Sequence, residues 1–188
     1  MKNIIVALAI SSLLAAGAQA AEPNKSQKVR PTYTYAGVKY FTQKLTDFDC
    51  SQDGLFIEGS YDIDGQLFAR ASLGDVDGDI CGSTSFNASL GYRSAWGEAS
   101  HLYGVIGISD ISYDGGGDTG LNLGAGIRGY MVPGIEGYFE IGYSTLDDSD
   151  LSANLGGAYW FNGDFAATVD LGFGSEQRSI ALGGRLAF

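Results

Sequence analysis

Polar and apolar residues trade places at every second position along this chain, segment after segment, and that alternation limits the folds open to it. Residues 178–188 show it plainly: Ile180, Leu182, Gly184, Leu186 and Phe188 fall on one face. Such a segment is a strand with oil on one side. The same period sets Leu55, Ile57 and Tyr61 against Phe56, Glu58 and Ser60. It sets Phe86, Ala88, Leu90 and Tyr92 against Asn87, Ser89, Gly91 and Arg93. A soluble sandwich would pair such faces against each other, and it is the competing reading. A helix bundle is excluded by 29 Gly with 11 Tyr and 10 Phe, because glycine weakens helices and aromatics favour strands. After Ala21 no run of 18 apolar residues occurs, so a helical membrane span is excluded as well.

Taken in order, the pattern predicts ten strands, over residues 32–42, 54–62, 66–74, 84–93, 101–112, 119–131, 136–145, 151–161, 165–174 and 178–188. The fifth has an ambiguous register. Ile63-Asp64-Gly65 reads as a three-residue hairpin with glycine in the left-handed position. Pro133-Gly134 and Asn162-Gly163 mark two further turns. The fold expected is all-β, a transmembrane up-and-down antiparallel barrel of ten strands. Eight is the alternative, should strand one or strand five pair poorly. An even count brings both termini to one side.

Residues 1–20 read as a signal peptide: Lys2 at the start, an apolar run from Ile4 to Ala16, and Ala18-Gln19-Ala20 as the small-residue cleavage site. Residues 21–31 read as a polar periplasmic lead-in, and 32–188 as the barrel domain. With the termini periplasmic, the loops after odd strands face outside. They hold most of the loop acids: Asp47, Asp49, Asp53, Asp75, Asp77, Asp79, Asp114, Asp118, Asp147, Asp148, Asp150 and Glu176. The opposite turns hold only Asp64, Glu98 and Asp164. A net charge of −11 repels nucleic-acid phosphates and argues against that class of partner.

Few residues invite chemistry. Cys50 and Cys81 lie in the first two outer loops of an exported chain and are expected to form a disulfide staple, with a redox switch as the weaker alternative. Charged residues on the inward face are Lys39, Glu58, Arg70, Arg93, Arg128, Glu140, Asp170 and Arg185. Counting from Asp64 puts Glu58 opposite Arg70, and counting from Gly134 puts Arg128 opposite Glu140. Both are expected to be cross-strand ion pairs filling a narrow lumen. A selective pore lined by these charges is the alternative. Asp75, Asp77 and Asp79 lack the glycine and glutamate placements of an EF-hand. They read as a solvated acidic rim, with divalent bridging to lipopolysaccharide as the sharper option. An outer-rim lipid- or peptide-cleaving enzyme is the remaining class. The sole histidine, His101, falls at the periplasmic end, out of reach of the rim acids, so no catalytic residues, cofactor or metal are expected.

The closing strand, with Leu182, Leu186 and a final Phe188, resembles the last strand of bacterial outer-membrane barrels. That resemblance implies that the assembly machinery reads it. As a whole, residues 32–188 resemble the small outer-membrane barrels of the opacity and adhesion type. Gly126-Ile127-Arg128-Gly129-Tyr130 and Gly134-Ile135-Glu136-Gly137-Tyr138 are also similar to small exported barrels once described as plant-immunity activators. These resemblances imply the fold and carry over no shared catalytic residues. The expected role is that of a monomeric outer-membrane barrel, structural or surface-interactive, through membrane integrity, lipopolysaccharide contact or adhesion to a surface ligand.

Overall fold

The computed structural model describes residues 30–45, 50–78, 81–146, 150–175 and 177–188. The expected signal peptide and most of the lead-in lie outside them, as do Asp47, Asp49, Asp79, Asp147, Asp148 and Glu176. The described residues form ten strands: β1 (Tyr35–Leu45), β2 (Cys50–Asp62), β3 (Leu67–Gly78), β4 (Ser83–Ala95) and β5 (Ser100–Tyr113). They continue as β6 (Gly116–Val132), β7 (Ile135–Ser144), β8 (Asp150–Trp160), β9 (Phe165–Phe173) and β10 (Gln177–Ala187). Each pairs antiparallel with its sequence neighbour, and β1 pairs β10 from Tyr35↔Ala187 to Leu45↔Gln177, which closes the cylinder. No edge strand remains, so every ladder is filled within the chain, as a bilayer interior demands.

The alternation sorts the two faces. Outward stand Val38, Ile57, Leu73, Leu90, Ile106, Leu123, Ile141, Leu155, Val169 and Leu182, all exposed. Tyr61, Tyr92, Tyr159 and Phe188 ring the band at the end where both described termini emerge, here termed the terminal mouth. Tyr40, Tyr143 and Phe173 ring it toward the opposite end, the far rim. An apolar belt between two aromatic girdles is the exterior of a membrane barrel. On β5, Leu102, Ile106 and Ile108 point out while Tyr103 and Val105 are buried. Its register was ambiguous because both faces are apolar: Tyr103 and Val105 pack inside with Tyr33 and Phe68.

Three strand expectations need correction. β1 begins at Tyr35 and not at 32, because residues 30–34 turn into the mouth in place of extending the ladder. The far ends of β2, β3, β6 and β8 reach beyond the apolar band, so Cys50, Asp53, Asp75, Asp77, Asp118 and Asp150 lie on strands and not in loops. Hydrogen-bonded pairing continues there after lipid has ceased to dictate which side chains alternate. Lastly, the first hairpin centres one residue later than Asp64. Asp62 pairs Phe68 around Gly65, whose φ is +83°.

Candidate functional site

The hairpin shift decides which lumen charges meet. Arg70 stands opposite Ser60, and Glu58 opposite Ser72, so the expected Glu58–Arg70 pair does not form. Between β6 and β7 a register shift at Tyr130/Val132 displaces the ladder in the same way. Arg128 therefore faces Tyr138, Glu140 faces Gly126, and the expected Arg128–Glu140 pair is absent too. All four side chains still point inward, because a shift of two residues preserves the face.

Arg70 and Glu140 pair across the lumen instead, while Glu58 and Arg128 find partners on nearby strands. Arg70 on β3 sends two parallel hydrogen bonds to Glu140 on β7, 2.7 and 2.8 Å, and a third to Ser89 Oγ at 3.0 Å. Lys39 Nζ lies 2.8 Å from Glu58 and 2.7 Å from Asp170, and the Tyr138 hydroxyl donates to Asp170 at 2.6 Å. Arg185 reaches Glu58 at 3.1 Å and Glu136 at 3.5 Å. Glu136 also accepts from Arg128 Nε at 2.5 Å and from the Trp160 indole at 3.2 Å. Arg93 pairs with Asp62 and donates to the Gly65 carbonyl at 3.0 Å. Within this network every inward charge expected from the sequence finds a partner, and the buried carboxylates share their donors as charges withdrawn from water must.

Glu136 is 1% exposed and bridges three donors, yet the inward-charge set from the sequence omitted it. It shares the parity of Tyr138 and Glu140 on the same strand, and that parity was the available signal. Tyr33 and Tyr35 were also missed, since strand one was drawn through both. Their rings lie between guanidinium groups: Arg93 and Arg128 over Tyr33 at 4.2 and 4.9 Å, Arg128 and Arg185 over Tyr35 at 5.3 and 4.1 Å. Guanidinium cations are attracted to such faces. His101 is buried at the same mouth, its ring 5.7 Å from Tyr33.

Between this layer and the far rim lies a cavity of about 310 Å³, walled by Lys39, Glu58, Arg70, Glu140, Arg128 and Arg185 with Tyr35, Tyr103 and Tyr138. Farther out, the Asn87 and Asn122 amides both donate to Ser109 Oγ, at 2.7 and 2.8 Å. Phe41 and Phe56 pack inside with their rings tilted by 49° and centroids 4.8 Å apart. The Cys50–Cys81 disulfide ties the start of β2 to the residues after β3, as the loop positions implied. Asp75 and Asp77 stand exposed beside it, with Asp75 accepting from Thr84 Oγ1 at 3.0 Å. Among the described residues no cluster of histidine, cysteine and carboxylate groups suited to a metal ion occurs.

Solved structures share the architecture at low sequence identity. The β domain of the Bordetella autotransporter BrkA aligns over 82% of this chain and 98% of its own, with 11% identity and a TM-score of 0.53. A COG4313 outer membrane channel from Pseudomonas putida F1 aligns over 89% and 100%, with 13% identity and a TM-score of 0.52. The KdgM porin, in complex with disordered oligogalacturonate, aligns over 82% and 99% at 11% identity, with a TM-score of 0.49. No curated protein matches the chain. The model of the outer membrane protein beta-barrel domain matches residues 6–173. With its closed ten-strand cylinder and lipid-facing belt, this chain belongs to that family, a family of the outer membrane.

Proposed function

We propose that the chain is a lumen-filled outer-membrane barrel that acts through its far rim and exterior, in membrane integrity, lipopolysaccharide contact or adhesion, and not by passing solutes. The observation that carries this reading is the Arg70–Glu140 pair. It joins β3 to β7 across the lumen with two charge-assisted bonds. Bidentate pairs of this kind are rigid, and removing one partner strands a charge. In this reading the terminal mouth faces the periplasm and the far rim faces outward. The outward Leu182, Leu186 and Phe188 on and beside β10 are the surface the assembly machinery reads. Asp75 and Asp77 would stand near lipopolysaccharide phosphates, where divalent ions bridge like charges.

The alternative is a narrow pore lined by Lys39, Glu58, Arg70, Arg128, Glu140, Asp170 and Arg185. Conductance of the refolded barrel in planar bilayers separates the two. No steady current is expected, and transient openings at most. A sustained ohmic conductance in most insertions would replace the proposal with the pore. On cells, exchanging residues 147–149 for a short neutral turn together with Asp75→Asn and Asp77→Asn should weaken surface binding while leaving the Cys50–Cys81 disulfide in place.

A further inference from the structure

We propose that residues 30–34 form a plug that closes the terminal mouth, with Tyr33 as its stopper. Tyr33 precedes the first strand, where a barrel chain would be expected to remain in water, yet it is 2% exposed. Its ring packs 4.6 Å from Phe68 of β3 and 5.7 Å from His101 of β5. Arg93 of β4 and Arg128 of β6 place guanidinium carbons 4.2 and 4.9 Å from its centre. One ring thus touches four consecutive strands of the wall and forms part of the cavity boundary.

The flanking backbone is fastened as well. The Asp62 amide donates to Thr34 Oγ1 at 3.1 Å, and Arg30 Nε donates to the Glu98 carbonyl at 3.2 Å. Those two anchors lie on neighbouring turns of the mouth, so the segment is tied down on both sides of Tyr33. The grip on Tyr33 comes through its ring face and not through its polar end. Its hydroxyl is buried with no hydrogen-bond partner among the described residues. A buried, unanswered hydroxyl opposes docking, so the phenol weakens its own seat. The plug is therefore held by ring contacts and by hydrogen bonds at its two ends, with one unanswered hydroxyl working against it.

The test uses the full chain, refolded, with Ser60→Cys as an accessibility probe. Ser60 lines the cavity and its hydroxyl makes no hydrogen bond among the described residues. The native cysteines are already joined, so the new thiol is the only one that reacts. Modification by a small charged methanethiosulfonate is timed in three backgrounds: Tyr33 intact, Tyr33→Phe and Tyr33→Ala. Heat-modifiable gel mobility confirms folding in each. Tyr33→Ala should speed labelling at least tenfold, and Tyr33→Phe should leave it equal or slower, since the ring stays and the orphaned hydroxyl goes. Equal rates in all three, or Tyr33→Phe behaving as Tyr33→Ala, would overturn the plug. Steady conductance by the unmodified barrel would overturn both the rim-acting role and the closed mouth, whereas equal labelling rates would overturn the plug alone and leave the rim-acting role standing.

Discussion

Glu58 and Arg185, on β2 and β10, meet over the strand that separates them. Arg185 Nη2 donates to Glu58 Oε1 at 3.1 Å, and both residues are ladder partners of Gly37 on β1. The bond spans the seam where the first and last strands close the cylinder. It exists because Gly37 has no side chain. A Cβ there would stand 3.1 Å from Glu58 Cγ, from its Oε1 and from the Gly184 carbonyl.

Gly37→Val should therefore push Glu58 away from Arg185 and destabilise the barrel by about 1–3 kcal/mol, the usual range for overpacking. Urea titration followed by gel mobility measures it. A change under about 0.5 kcal/mol, the range typical of surface substitutions, would show that the seam tolerates a side chain.

Glu140→Gln strands the Arg70 cation in the lumen. The expected loss is about 2–3 kcal/mol, below the ~3–5 of a fully buried pair because Arg70 keeps some access to water. Replacing both, as Arg70→Met with Glu140→Leu, should recover most of that loss, since two apolar chains leave no charge unanswered. A double variant weaker than the single one would contradict the ion-pair account.

Ile106 lies mid-belt on the exterior of β5. In lipid vesicles Ile106→Arg should cost about 2–4 kcal/mol, whereas an outward arginine at the belt's edge, in place of Thr42, should cost roughly 0–1. Equal penalties would mean that the belt does not face hydrocarbon.

Asp64 accepts hydrogen bonds from the Gln66 and Leu67 amides at 3.1 and 2.7 Å, which hold its carboxyl below the ordinary 3.8. The folded value lies under the unfolded one. The turn's contribution is thus complete above 3.8 and drains away as pH falls through the lowered folded value. Amide shifts of residues 66 and 67 should titrate below 3.8, and Asp64→Asn should abolish that titration. A midpoint at or above 3.8 would refute the assignment.

The exterior was legible in the sequence because lipid enforces strict alternation: Leu90, Leu123 and Leu182 announce the belt one residue at a time. The pairing of interior charges was not. Face assignment survives a shift of two residues, while the partner of Arg70 does not, and a turn centred on Gly65 instead of Asp64 was enough to change it. The partner it finds, Glu140, is set by closure of the whole cylinder, which no local pattern encodes. Tyr33 was lost for a related reason. A tyrosine just before an alternating run looks like its first member, and only the geometry of the mouth turns it inward.

Each of the five interior cations, Lys39, Arg70, Arg93, Arg128 and Arg185, is matched within a set of five carboxylates, Glu58, Asp62, Glu136, Glu140 and Asp170. These ten groups therefore contribute nothing to the −11 of the whole chain. Outside this set Asp53, Asp75, Asp77 and Asp114 are exposed at the far rim, where solvent and counterions can gather around them. Ionic strength and magnesium should consequently alter how neighbouring barrels approach one another in the membrane plane, while leaving the filling of each barrel untouched.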